Sequence, residues 1–470
     1  MKIFITFFLC LLTAVSFSQD LSRAVEKAFD HFLQDEQLKY ASSSLTVLNA
    51  QTGEVVFSRN GNMGLAPAST LKVVTSATAF YVLGSEFNWE TTLGYSGSVS
   101  ASGVLNGNLI LTGGGDPTLG SWRYELTKTN LLLNKWIKAV QKSGIKKITG
   151  RLIADDRLFG TQTLPLGWIW QDIGNYYGAG ANSLSWHENQ VDLNFKPGAK
   201  VGDASTFQKL DSDMLGVKMV NEVKTGSAGS GDNVYAFSSP YTNIVYLRGT
   251  YGIDLKKPIA ISVPDPALEV GRSLQHVLEK AGISFTLPVI TSRQMEIQDL
   301  PFRGPDKLIS THSSPSLSQV AYWLNQKSIN LYAEQLVKTL AWKTGKEISF
   351  ENGTEVIREF WNKKLGIDKE AINMVDGSGL SPGNRITTMT MALILQSAKK
   401  EPWFKDYLES FPVYNNMKMK SGSINDVLAY AGYQTSSSGS PLVFSFILNN
   451  FHGSSTSVRQ KMFRVLDTLK

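Results

Sequence analysis

Two side chains three residues apart, Ser69 and Lys72 in Pro67-Ala68-Ser69-Thr70-Leu71-Lys72, have the types and spacing for nucleophilic catalysis. On a helix such a pair shares one face with Cβ atoms roughly 5–6 Å apart. An amine beside a hydroxyl at the positive end of a helix supplies a base and a nucleophile for acyl transfer. Spacing alone does not single this pair out, because Ser143…Lys146 and Ser397…Lys400 repeat it. Two further groups add weight. Ser328-Ile329-Asn330 stands just ahead of a helical run, where Ser and Asn are otherwise common caps, and Ser423-Ile424-Asn425 spells the same pattern. Lys420-Ser421-Gly422-Ser423 places a cation, a hydroxyl and a residue without a side chain ahead of two terminal strands. That combination suits a substrate carboxylate and a close backbone approach. Lys224-Thr225-Gly226 and Lys343-Thr344-Gly345 compete for the same reading, but neither precedes a strand pair, so Lys420 is preferred.

The elements that must hold these groups come next. Pro67 leads into an apolar run, Leu71 to Leu83, that reads as a buried helix. Before it, Leu21, Val25, Ala28, Phe29, Phe32 and Leu33 have amphipathic helical spacing. The runs 45–48 and 55–57, joined through Gln51-Thr52-Gly53, read as a β-hairpin. At the other end, 428–433 and 442–448 read as strands, and Val458, Met462, Val465, Leu466 and Leu469 mark a closing helix. Hairpin and strands from opposite ends can complete one antiparallel sheet, with the block between them an insertion. From residue 86 the texture changes to short strand-like runs rich in Gly, Ser and Asn, such as 107–111 and 148–153. Gly113-Gly114-Gly115-Asp116-Pro117 lacks the Gly-Lys-Ser/Thr of a phosphate loop and reads as a tight turn. The passage 203–235 is polar and is expected to be the most exposed part of the insert; Val270 to Gly282 reads as a helix.

At 470 residues the chain is long enough for two or three domains, and 42% hydrophobic with 18% charged residues is ordinary globular composition. A net charge of +6 without a basic run argues against nucleic acid as a partner and allows a weak attraction to anionic surfaces. Lys2, the apolar run Ile3 to Leu12 and the small residues near Ser18/Gln19 form an export signal over 1–18. The run is short for an uncleaved membrane anchor, and no later segment spans a bilayer, so the mature chain is expected to have no integral membrane segment. The one cysteine, Cys10, lies inside this signal and lacks a lipoprotein context; the mature chain needs no disulfide.

In the order Ser-x-x-Lys, Ser-x-Asn, Lys-Ser/Thr-Gly, these groups resemble the penicillin-recognising serine enzymes. The stretches 67–72, Gly113-Gly114-Gly115-Asp116-Pro117-Thr118-Leu119, Asn330-Leu331-Tyr332-Ala333-Glu334 and Asp376-Gly377-Ser378-Gly379-Leu380-Ser381 narrow the likeness. They resemble the class C low-molecular-mass penicillin-binding proteins, the D-alanyl-D-alanine carboxypeptidase/endopeptidase family, through nearly the whole mature chain. Ser421 stands where that family usually has Thr, which keeps the hydroxyl. The resemblance implies an α+β fold. A β-lactamase/transpeptidase-like domain, an antiparallel sheet flanked by helices, is interrupted by a large mostly β or mixed insertion. The expected parts are the signal 1–18, first transpeptidase part 19–85, an insertion of two subdomains 86–297, and second transpeptidase part 298–470.

It also implies roles. Ser69 attacks the D-Ala-D-Ala peptide bond and becomes acylated. Lys72, as a neutral amine, takes its proton. Ser328 passes a proton to the leaving amine, and Asn330 holds Lys72 and the substrate amide. Lys420 and Ser421 bind the terminal carboxylate, and Gly422 lets the strand approach. The amides of Ser69 and Ser423 form the oxyanion hole. No cofactor or metal is expected. The implied partners are peptidoglycan peptides, with β-lactam antibiotics as covalent inhibitors, and the implied location is the periplasm. Nothing in the sequence specifies an oligomeric state.

Three rival readings are a triad or metal hydrolase, a β-lactamase, and a non-turnover sensor or scaffold. Gly379-Leu380-Ser381-Pro382-Gly383 spells Gly-x-Ser-x-Gly, but Pro382 and the glycines favour a turn over a strand-to-helix nucleophile elbow. His31, His187, His276, His312 and His452 are scattered, without zinc spacing. A β-lactamase shares the nucleophile motif but is normally shorter, without this insert. A non-turnover penicillin-binding sensor or scaffold would keep acylation and lose release.

Overall fold

The computed structural model describes residues 20–209, 214 and 216–470; the expected export signal, 1–18, lies outside the described residues. By contact the described residues divide into two units, one within 20–85, 318–329 and 351–470, the other within 86–317 and 330–350.

In the first unit both ends of the chain meet in one six-stranded antiparallel sheet. Its order is Val413–Tyr414, Met417–Ile424, Val427–Thr435, Pro441–Asn449, Ser42–Asn49, Val55–Arg59. Register follows from the alternation of side chains. Leu45 lies opposite Phe446 and Val47 opposite Phe444, which sets these residues with Leu428 and Tyr430 on one apolar face. Helix 20–33 and helix Ser455–Leu466 cover that face through Val25, Phe29, Phe32, Val458 and Met462. The rings of Phe29 and Phe32 stand 5.7 and 5.3 Å from that of Phe446. Ser44 and Thr46 point the other way, and their hydroxyls meet the Thr388 hydroxyl at 2.6 and 2.9 Å. Thr388 opens helix Thr388–Ala398, which lies across this second face and contacts helix Leu71–Leu83.

Helix Leu71–Leu83 is buried from Leu71 to Phe80, as an all-round apolar run must be. Two of its polar groups find partners within the unit. Trp361 Nε1 donates to Thr78 Oγ1 at 2.9 Å, and the Tyr407 hydroxyl to the Val73 carbonyl at 2.8 Å.

The second unit has a seven-stranded mixed sheet whose spine is Ser284–Phe285, Lys147–Ile148, Val104–Thr112, Glu90–Val99, Lys307–Ser313. Lys307–Ser313 pairs with Glu90–Val99, so strand pairing of this unit runs past residue 298. Helices Thr129–Lys142 and Pro266–Lys280 supply Trp136, Val140, Val270 and Leu274 to its core. Asp265 caps the second of these, accepting from the Leu268 amide at 3.1 Å. A separate apolar cluster, with Leu193, Phe195, Leu247 and Tyr251, fills smaller sheets. These include Thr206–Lys209, Lys218–Asn221, Lys224–Gly226 and Asp232–Phe237, so the polar passage 203–235 is strand-bearing rather than simply exposed. Thr225 there is buried, its hydroxyl accepting from the Gly198 amide at 2.8 Å.

The 113–117 turn buries Asp116 completely. One carboxylate oxygen accepts from the amide and hydroxyl of Thr118 at 2.7 and 2.5 Å; the other faces His312 Nε2 at 3.9 Å, too far for a hydrogen bond. Burial pushes Asp116 up from 3.8 to about 6 and, with the Lys135 charge adding to it, pulls His312 down from 6.5 to about 4. The raised carboxyl contributes stability that is present below pH 3.8 and lost as pH rises through 6. The depressed imidazole contributes stability that is present above 6.5 and lost as pH falls through 4. The two opposite slopes offset across this window. Asp116→Asn removes the first, so its unfolding temperature is expected to fall more steeply than that of the unmodified protein on acidification from pH 6.5 to 4. Parallel curves would mean that Asp116 is not protonated in this window.

Candidate active site

The Leu71–Leu83 helix is preceded by a 3₁₀ turn, Ala68–Thr70, that carries Ser69. Thr70 does not cap the helix through its side chain; its hydroxyl donates back to the Pro67 carbonyl at 2.7 Å and tightens the turn. Ala68 is held in the left-handed region at φ +46°, a conformation that costs a non-glycine residue energy and persists where surroundings fix it. Lys72 is fully buried, and its Nζ donates to Ser69 Oγ at 3.0 Å and to the Ser378 carbonyl at 2.8 Å. Ser69 itself is only half-buried. A buried amine thus touches a reachable hydroxyl.

The Ser378 carbonyl belongs to a loop whose part the sequence reading did not assign. Asp376 is buried and its carboxylate accepts from the amides of Gly379 and Ser381 at 2.7 and 2.6 Å and from Asn384 Nδ2 at 2.8 Å. The Gly377 carbonyl takes the Thr75 hydroxyl at 2.6 Å. A Cβ on Gly379 would fall 1.8 Å from the Ala68 carbonyl oxygen, so the loop lies directly on the Ser69 turn. The dense Gly/Ser content of 376–381 was the available signal. The same hydrogen bonds make Ser381 part of a turn, its hydroxyl accepting from the Gly383 amide at 3.1 Å.

Strand Met417–Ile424 brings the third motif. Lys420 is 1% exposed and its Nζ donates to Ser328 Oγ at 3.0 Å and to the Ser421 carbonyl at 2.8 Å. Burial, and next the charge on Lys72, hold the Lys420 amine well below its usual range. Gly422 presses on the Ser69 turn: a Cβ there would stand 2.6 Å from the Pro67 carbonyl oxygen, 2.8 Å from Ser69 N and 2.9 Å from Thr70 N. The Met419 amide donates outward, to the Pro412 carbonyl at 3.0 Å. With period two, the amides of Ser421 and Ser423 point to that same outer side, where no further strand pairs among the described residues. Ser421 is half-buried and Ser423 exposed.

Ser328 is itself left-handed, at φ +57°. The Ser-x-Asn motif straddles the division of the chain. Ser328 lies in the first unit; Asn330 opens helix Asn330–Lys343 of the second, where its Nδ2 donates to the Tyr177 carbonyl at 2.7 Å. The first unit therefore brings Ser69, Lys72, Ser328, Lys420, Ser421, Gly422 and Ser423 to one turn and strand edge. The competing motifs find ordinary uses. Ser143 and Ser397 donate to carbonyls of their own helices, of Ala139 and Ile394, each at 2.9 Å. Lys224–Gly226 is a short strand, and the Lys343 amine sits 3.6 Å above the Trp342 ring. Among the described residues no three His, Cys, Asp or Glu side chains are grouped to hold a metal.

Comparison with known proteins bears on the family and the fold. A profile of the D-Ala-D-Ala carboxypeptidase 3 (S13) family matches residues 25–469. The chain is 28% identical to a D-alanyl-D-alanine carboxypeptidase of Actinomadura sp. (strain R39), over 90% of this chain and 80% of that one. It is 26% identical to the D-alanyl-D-alanine carboxypeptidase DacB of Haemophilus influenzae, over 86% and 84%. The crystal structure of penicillin binding protein 4 (dacB) from Haemophilus influenzae superposes with a TM-score of 0.77 at 23% identity, covering 93% of this chain and 97% of that one, a likeness of fold. The α+β architecture, the assembled serine and lysines, and a family match over nearly the whole length lead to one conclusion: the chain belongs to the D-Ala-D-Ala carboxypeptidase 3 (S13) family of serine peptidases.

Proposed function

We propose that this enzyme cleaves the terminal D-Ala-D-Ala bond of peptidoglycan stem peptides, and cross-links built on it, through an acyl-enzyme on Ser69. The contact between Lys72 Nζ and Ser69 Oγ, 3.0 Å, carries the reading. Ser69 Oγ attacks the scissile carbonyl while the Lys72 amine, in its neutral form, takes the hydroxyl proton. Lys420 and the Ser421 hydroxyl receive the terminal carboxylate, a charge-assisted contact. A carboxylate there supplies a counter-charge to buried Lys420 and draws the positive charge of the two-lysine pair onto it. Charge on Lys420 opposes charge on Lys72, so the base is freed as substrate arrives. The outward amide of Ser423 and that of Ser69 serve the developing oxyanion. Ser328, which accepts from Lys420 Nζ at 3.0 Å, passes its hydroxyl proton to the leaving amine and takes one back from Lys420, while Lys72 keeps the proton of Ser69. Asn330 keeps the role its place in the motif implies, holding the substrate amide. Water then releases the acyl group.

By the same chemistry a β-lactam acylates Ser69 and stays. The basic-led apolar segment 1–18 supports export to the periplasm, and no helix among the described residues is long and apolar enough to cross a membrane. The segments 19–85 and 298–470 read as the transpeptidase-like part and 86–297 as its insertion, with helix Asn330–Lys343 tied to the inserted part by contact. The test is intact mass after exposure to a penicillin, peptide mapping, and D-alanine release from a pentapeptide and from a cross-linked dimer. We expect one drug per chain on the Ser69 peptide, with D-alanine released. An adduct on another serine overturns the assignment; labelling without release from either substrate favours the sensor or scaffold reading.

A further inference from the structure

Helix Asn330–Lys343 is buried from Asn330 to Ala341, yet it carries several polar side chains inside. Such groups are tolerated only when each is bonded. Gln335, Lys338, Thr339 and Tyr332 find partners far along the inserted sequence. Gln335 Nε2 donates to the carbonyls of Gly115 and Asn182, both at 2.9 Å. Lys338 Nζ donates to the carbonyls of Phe159, at 2.9 Å, and Gln162. Trp89 Nε1 donates to Thr339 Oγ1 at 2.9 Å. The hydroxyl of Tyr332, two residues from Asn330, donates to Glu188 Oε1 at 2.8 Å. The same carboxylate oxygen accepts from Ser121 Oγ at 2.7 Å and Arg123 Nε at 2.9 Å.

Glu188 reaches this position through an unusual backbone. His187, Glu188 and Asn189 are three consecutive non-glycine residues in the left-handed region, at φ +52°, +54° and +53°. Single residues visit that region; a run of three persists only where the surroundings over-determine it. Those surroundings are visible. Asn189 Oδ1 accepts from the Trp186 amide at 3.0 Å, the His187 ring stacks on Trp186 at 4.6 Å, and its Nε2 meets Thr129 Oγ1 at 2.7 Å. What the strained turn delivers is one buried carboxylate, 4% exposed, aimed at the first turn of the Asn330 helix. Burial first, and Glu188 next, keep the Tyr332 hydroxyl protonated and hence a donor.

We propose that Tyr332 is a positioning residue: through its hydrogen bond to Glu188 on the left-handed 187–189 turn, the inserted unit fixes the roll of the Asn330 helix and the aim of the Asn330 carboxamide. The inference rests on the catalytic reading of Asn330 given above. It assigns the insertion a part in the chemical step.

A double-mutant cycle on the rate of acylation by a penicillin tests it in the full chain, with thermal unfolding measured alongside. Tyr332→Phe removes one oxygen and nothing else. Its acylation rate is expected to drop roughly tenfold, since small misplacements of a positioned group are costly in rate. In the Asn330→Ala background the same substitution is expected to change nothing further. Equal losses in both backgrounds, or no loss from Tyr332→Phe alone, overturn the proposal. No loss from Asn330→Ala overturns instead the reading it rests on, so the two failures are distinct. Ser121→Ala, which loosens Glu188 without touching the helix, runs the same cycle should Tyr332→Phe not fold. The Glu188→Gln variant, which retains an acceptor oxygen for Tyr332, is expected to keep most of the rate that Glu188→Ala loses.

Discussion

Ser69→Ala is expected to abolish covalent labelling by penicillin and to lower D-alanine release on the order of 10⁶-fold, the scale seen when a serine nucleophile is removed from an assembled site. The loss should be chemical and not structural. Ser69 is half-buried on a 3₁₀ turn whose conformation is set by its neighbours. The Thr70 hydroxyl holds the Pro67 carbonyl and the Asp376 loop lies against Ala68. Alanine fits that turn. Lys72 keeps the Ser378 carbonyl at 2.8 Å, so no buried donor is stranded. Unfolding temperature should therefore stay within a few degrees of that of the unmodified protein, about what a change of 1 kcal/mol or less produces in a chain of this size. Intact mass and a thermal scan on the same sample read both quantities. A drug adduct surviving in the alanine variant would move the nucleophile elsewhere.

Gly422→Ala should be the next most damaging change, although it adds one methyl group and removes no functional atom. The added carbon would meet three main-chain atoms, of Pro67, Ser69 and Thr70, at 2.6 to 2.9 Å. Main-chain atoms of a turn cannot rotate aside as a flexible side chain can. Either the strand edge or the nucleophile turn must move by several tenths of an ångström. Lys420, Ser421 and the Ser423 amide lie on that strand, so the shift separates the groups proposed to bind the carboxylate from the hydroxyl proposed to attack. A misplacement near 1 Å costs on the order of 10²-fold in rate, and that is the expected fall in the second-order rate of acylation. Overpacking of about this kind costs roughly 1–3 kcal/mol of stability, too little to unfold the chain. Time courses of adduct formation by intact mass decide it: a rate like that of the unmodified protein would remove the strand edge from the acylation site.

Much of this arrangement can be read from residue order. The shared sheet was foreseeable because Leu45/Val47 and Phe444/Phe446 alternate with polar or small partners at both ends of the chain, which leaves each hairpin half of a core to find. The Ser69–Lys72 contact follows from three-residue spacing at the head of an apolar run. Long-range polar pairing was not readable. Nothing local marks Gln335 as a ligand for carbonyls of Gly115 and Asn182, yet those bonds tie the Asn330 helix to the inserted unit. The Asp376 loop was recognisable as a motif, but its hold on Lys72 depends on a main-chain carbonyl, Ser378, and carbonyls leave no trace in side-chain patterns. The strands between 203 and 235 were hidden for a related reason. Their inward apolar residues, such as Val223 and Val234, stand singly in short, mostly polar runs, so no period shows.

The pairing of Ser42–Asn49 with Pro441–Asn449 also sets a timetable for biogenesis. A ribosome adds about 5–20 residues per second. The strand that must lie beside Ser42–Asn49 is complete only after a further 400 residues (449 − 49) have been made, roughly 20–80 s later. Until then the first strands have an open edge, and Lys420 and Gly422 have not yet been synthesised. On the proposed mechanism the chain is inert until that strand is made. A chain released before residue 417 carries Ser69 but not strand Met417–Ile424, which lies against its turn.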